Sequence, residues 1–110
     1  MKQPINVTYD PRSSHAYVEY ADTLASASWV AVYREADGSV EEYGARDGRT
    51  DEPLGVIAEF DARDDIVAIE IIATSQPDLM SIARDYAAEN DLAFPDDLCA
   101  AAAAFGDPAA

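Results

Sequence analysis

Apolar and polar residues alternate with period two from Ile5 to Ala73 and then recur with a period near 3.6, which predicts a sheet followed by helices. The clearest stretch is Gly55 to Ala73, two alternating runs about a polar turn. It reads as a β-hairpin with Val56, Ala58 and Phe60 on one face of its first strand and Val67, Ile69 and Ile71 on one face of its second. A first hairpin is expected where Ile5, Val7 and Tyr9 are followed by the turn formers Asp10 to Ser14 and then by Ala16, Val18 and Tyr20. Ser28 to Arg34 is β-branched and aromatic enough for a third strand, and the turn Ala36 to Ser39 leads to a short fourth run, Val40 to Tyr43. Gly44 to Pro53 is polar and reads as a loop.

Past Ala73, a Thr74 or Ser75 hydroxyl is placed to cap a helix that has Pro77 in its first turn, with Leu79, Ile82, Ala83 and Tyr86 as its apolar stripe. Pro95 opens a second helix, expected from about Asp96 to Phe105. Its stripe is Leu98, Ala101, Ala102 and Phe105, Asp96 and Asp97 favour its positive end, and Gly106 is placed to end it. The fold class that follows is α+β: a meandering antiparallel β-sheet of five or six strands covered by two C-terminal α-helices. With 110 residues and 49% apolar content the chain suffices for one domain, divided as sheet (1–74), helices (75–106) and a frayed tail (107–110).

Charge changes the picture most. Asp and Glu number 22 against 7 Lys and Arg, Lys2 is the only lysine, and the formal net charge is −15. Such a surface repels nucleic acid and anionic membranes, so neither is expected as a direct partner. The excess of acid with arginine in place of lysine is also what a GC-rich coding sequence or a salt-adapted proteome produces. No leader or membrane-spanning run stands out, and the single thiol, Cys99, excludes an internal disulfide, so the expected location is the cytoplasm.

The ordered motifs Val7-Thr8-Tyr9-Asp10, Ala16-Tyr17-Val18, Gly55 to Asp61 and Ile66 to Ala73 resemble the bacterial domain-of-unknown-function family 2283. The shared features are a Tyr-Asp pair before the first turn, an apolar strand followed by an aromatic, and a closing strand of Gly-Ile-Glu-Ile type, in which Ala68 stands here in the place of glycine. The likeness covers roughly residues 3 to 74, is interrupted by extra length around residues 24 to 53, and leaves the helices unmatched. It implies a small antiparallel sheet of the kind found in short bacterial proteins with partner or toxin–antitoxin roles, and no activity.

No phosphate-binding glycine loop, zinc motif or nucleophile elbow occurs, so the chain reads as non-enzymatic and without a cofactor. His15, the only histidine, reads as a turn residue, and Cys99, with acids rather than bases beside it, reads as packing. Asp47, Asp51 and Glu52 in one loop and Asp61, Asp64 and Asp65 in another offer hard oxygen ligands, but their spacing fits no calcium loop and they read as solvated surface carboxylates. Tyr17, Tyr20, Trp29, Tyr33 and Tyr43 exceed what a small one-sided sheet buries, and the first four are the interface candidates. The expected function is a small acidic protein-interaction domain. It would be a homodimer joined through its sheet, or the acidic partner of a basic protein in an antitoxin-like or regulatory pair. Two alternatives stay open: a DNA-mimicking inhibitor of a nucleic-acid-binding protein, and a module that binds a small molecule or divalent cation.

Overall fold

The residues at alternate positions do build strands, and where they pair decides the architecture. The computed structural model describes residues 1–43 and 55–106. Six strands, β1 (Asn6–Asp10), β2 (His15–Glu19), β3 (Ser28–Arg34), β4 (Val40–Tyr43), β5 (Val56–Phe60) and β6 (Ile66–Ile71), are followed by α1 (Pro77–Glu89) and α2 (Leu98–Ala104), an α+β fold with its helices C-terminal to its strands. All strand pairs are antiparallel. Their order is β1-β2-β6-β5-β3-β4, which corrects the expected meander: the β5–β6 hairpin is inserted between the first two hairpins. The reason is burial. β6 is apolar at five of its six positions, each of them buried, and a strand of that kind gains most in the middle of a sheet.

The link from β2 to β3 must therefore cross the end of the central hairpin. It does so through a 3-10 turn at Thr23–Ala25, with Tyr20 and Ala21 donating to the Val67 carbonyl at 2.8 and 3.2 Å and Ala27 donating to the Phe60 carbonyl at 2.7 Å. A bulge between Glu59 and Phe60 sets Phe60 opposite Ile66. One consequence is that Ile66, Ile69 and Ile71 join the main core, while Val67, expected there with Ile69 and Ile71, is fully buried outside it.

One face of the sheet carries that core. Val7, Val18, Val30, Val32, Val56, Ala58, Ile69 and Ile71 meet Ile82, Ala83, Tyr86, Ala87, Leu98 and Ala102 of the helices, with α1 lying over β3 to β6 and α2 over β1. Each fully buried valine or isoleucine is worth about 1.5–3 kcal/mol relative to its exposed state, so this layer supplies most of the stabilising burial. Polar links tie the layers: Tyr20 Oη donates to the Ala93 carbonyl at 2.8 Å, Tyr86 Oη to Glu42 at 2.6 Å, and Arg34 to Asp85 at 2.7 Å and to the Ser81 hydroxyl at 3.0 Å.

The helix ends depart from expectation in two details. Gln76 occupies the N-cap of α1 without a side-chain bond, so neither Thr74 nor Ser75 caps it. α2 starts at Leu98, with the Asp97 carboxylate accepting from the Ala100 amide at 3.0 Å, and Gly106 ends it at φ +86°. Phe105, expected in the apolar stripe, is 46% exposed, and Cys99, expected to pack, is exposed. Among the described residues no helix is long and apolar enough to cross a membrane.

Candidate interaction face

Both helices lie on the same side of the sheet, so the opposite face carries no layer of described residues. Alternation places Asn6 and Thr8 of β1, His15, Tyr17 and Glu19 of β2, Ala68 and Glu70 of β6, Ile57 and Glu59 of β5, and Trp29, Ala31 and Tyr33 of β3 on that side. Register arranges them in rows. Asn6, Glu19, Ala68, Glu59 and Trp29 follow one another across five strands, and Thr8, Tyr17, Glu70, Ile57 and Ala31 form the next row. Glu19 and Glu59 are two strands apart, about 10 Å at ordinary strand spacing, with Glu70 beside the small Ala68 between them.

These carboxylates are held rather than loose. Tyr17 donates its hydroxyl to one oxygen of Glu59, and Ser26, from the crossing link, donates to the other at 2.9 Å. His15 Nε2 lies 2.5 Å from Glu70, and Asn6 donates to Glu19 at 3.3 Å. Burial raises the Tyr17 phenol above its usual value near 10, and the hydrogen bond to Glu59 together with the charges of Glu59, Glu70 and Glu19 pushes it further up. The phenol therefore stays protonated and remains a donor. No lysine or arginine stands in these two rows, and His15, which stands opposite Asp10 in the following row, is the basic side chain among the face residues named above.

Apolar surface lies among the acids. Trp29 and Ile57 are half-buried, Tyr33 is 36% exposed opposite Glu41 of β4, and Ile72 just past β6 is 37% exposed. Of the four interface candidates, Tyr17, Trp29 and Tyr33 are thus brought to one face. Tyr20 is not: it is 1% exposed and its hydroxyl serves the Ala93 carbonyl inside the core, because the β2 alternation points it with Val18. The acids that the sequence reading missed, Glu19, Glu59 and Glu70, occupy the polar positions of alternating strands. That pattern marks their face, whereas their neighbourhood depends on strand order.

The acidic-surface candidates fare differently. Asp47, Asp51 and Glu52 lie outside the described residues. Asp61 accepts from the amides of Arg63 at 2.8 Å and Asp65 at 3.0 Å, and these bonds hold its carboxyl below the usual range. With Asp64 at φ +65° it shapes the tip of the β5–β6 turn. Among the described residues no three His, Cys, Asp or Glu side chains are grouped to hold a metal ion. A hollow of about 430 Å³ beside this turn is lined by Lys2, Asp64, Asp65, Asn90 and Asp91 over Phe60 and Leu92, and a second of about 310 Å³ lies between Tyr9, Met80 and Leu98.

No family model, no curated protein and no solved structure matches this chain. The likeness to domain-of-unknown-function family 2283 accordingly rests on the strand motifs alone.

Proposed function

We propose that this chain is a non-enzymatic protein-interaction domain, acting in the cytoplasm, that binds through the bare face of its sheet. The observation that supports this most is the one-sided fold: among the described residues the six-stranded sheet carries helices on one side only, with Trp29, Tyr17, Tyr33, Ile57 and Ile72 on the other. Tryptophan and tyrosine give large contact area with a polar handle, which suits them to surfaces that a partner covers. The polar groups beside them pair with one another, which orders the face without presenting an activated nucleophile. Selection of displayed random peptides on the immobilised protein tests the reading. Peptides enriched on the native protein should lose at least ten-fold in affinity on a Trp29→Ser, Tyr33→Ser double variant that keeps its circular dichroism spectrum. Peptides that bind both proteins equally would place binding elsewhere.

A second reading is self-association, and the two edge strands favour it, because an edge presents backbone groups to an added strand. Of the two edges β4 carries Glu41 and Glu42 side by side, so a two-fold contact is better served by β1, whose outward residues include Asn6 and Thr8. Light scattering at micromolar concentration checks this, and a monomeric mass counts against it.

A further inference from the structure

We infer that the occupant of the bare sheet face is a basic segment of a different protein, its Lys or Arg side chains meeting Glu19, Glu59 and Glu70 and its apolar side chains lying on Trp29, Tyr33 and Ile57. This rests on the reading of that face as the interaction surface and names the chemistry of its partner. The argument is charge complementarity. Three glutamates stand within about 10 Å of one another in adjoining rows, and no lysine or arginine of these rows answers them. Elsewhere among the described residues a few acids lie near a cation: Asp85 is 2.7 Å from Arg34 on the helical side, Asp61 is 3.9 Å from Arg63, and Asp91 is 3.9 Å from the amino terminus. On the bare face the partners are Tyr17, Ser26 and Asn6, together with His15, which fix the carboxylates in place, and among the described residues no lysine or arginine is paired with Glu19, Glu59 or Glu70.

The same charges disfavour the other occupants. A second copy laid face to face would set Glu19, Glu59 and Glu70 against their own equivalents, and like charges brought together in a desolvated contact cost binding energy. Nucleic acid and anionic lipid are repelled by the same surface. A basic segment instead gains from the field at long range, which speeds its encounter, and from the aromatic and aliphatic surface once it is seated. Because the carboxylates are already held, their ordering is not a cost left for the binding step.

Trp29 is the only tryptophan in the chain and stands in the row of Glu19 and Glu59, so its emission reports on this face. It is titrated with three synthetic peptides of one length and one apolar content, carrying Arg and Lys, Gln, or Asp and Glu at the polar positions. The basic peptide should give a saturable change, bind at least ten-fold more tightly than the neutral one, and weaken at least ten-fold between 50 and 300 mM salt. Glu59→Gln with Glu70→Gln should lower its affinity at least ten-fold, and Glu19→Gln alone should lower it measurably. A distal pair, Asp78→Asn with Glu89→Gln on α1, removes the same charge and should leave the affinity within two-fold. Equal losses from the distal and facial pairs would reduce the effect to the net charge of the chain and overturn the proposal. Equal binding of the neutral peptide would overturn it while leaving the face an interaction surface. No response to any peptide, with a dimeric mass that Trp29→Ser abolishes, would assign the face to a second copy.

Discussion

The two faces of one sheet carry opposite instructions. On the helical side the strands contribute valine, isoleucine, alanine and phenylalanine, and no buried polar side-chain atom of the described residues lacks a hydrogen-bond partner. On the bare side the same strands contribute Glu19, Glu59, Glu70, Tyr17, His15 and Trp29. Stability is therefore concentrated on one face. The other, part apolar and part acidic, has no helix of the described residues over it and keeps its groups in place through hydrogen bonds among Tyr17, Ser26, Glu59, His15 and Glu70. The comparison predicts that substitutions on the helical side unfold the protein, whereas substitutions on the bare side change what it binds.

The largest effect should come from removing the cover altogether. Truncation after Ala73 exposes Val7, Val18, Val30, Val56, Ile69 and Ile71 together and should leave an aggregating or unfolded fragment, as size-exclusion chromatography and denaturant titration will show. A soluble, cooperatively unfolding fragment would mean that the sheet is stable without the helices. Next, Ile69→Ala in the central strand should cost about 2–5 kcal/mol in urea unfolding, the range for deleting a fully buried aliphatic side chain. Gly55→Ala probes the seam between the layers. A methyl group there would run into the Leu79 side chain of α1, and the expected loss is about 1–3 kcal/mol, smaller if Leu79 can turn aside.

Tyrosine titration separates the faces by pH. Burial holds Tyr20 protonated above its usual value near 10, and burial with neighbouring carboxylates does the same for Tyr17. The folded state then binds these protons more tightly than the unfolded chain, so the stability they contribute is complete below about pH 10 and falls as pH rises past it. Alkaline unfolding should begin there, with the two last phenolate absorbance changes coinciding with the loss of structure, and Tyr20→Phe should remove part of that dependence. On the acid side, Asp10, Asp37 and Asp61 are held below their usual 3.8 chiefly by hydrogen bonds to turn residues. Their contribution is present above about pH 4 and is lost as pH falls. The smallest effect on stability is expected on the bare face: Glu59→Gln or Glu70→Gln should shift it by no more than about 0.5 kcal/mol, because relief of mutual repulsion offsets a weakened hydrogen bond.

What the sequence determined by itself is local. Alternation in Val56 to Phe60, Ile66 to Ile71, Val7 to Tyr9 and Ala16 to Val18 specified strands and their inward faces, since successive side chains of any strand point to opposite sides. The 3.6 spacing of Ile82, Ala83 and Tyr86, the Asp97 cap and the Gly106 stop specified helices by the same kind of short-range geometry. What only the tertiary structure decided is adjacency. The placing of β6 and β5 between β2 and β3 follows from how much apolar surface the whole sheet can bury, a sum over contacts distant in sequence that no window of residues contains. That choice buried Tyr20 beneath the helices, where four aromatic residues had read as equivalent. It also brought Glu59 to Tyr17, 42 residues away, and Glu70 to His15, 55 residues away, assembling an acidic face from positions that look ordinary one strand at a time.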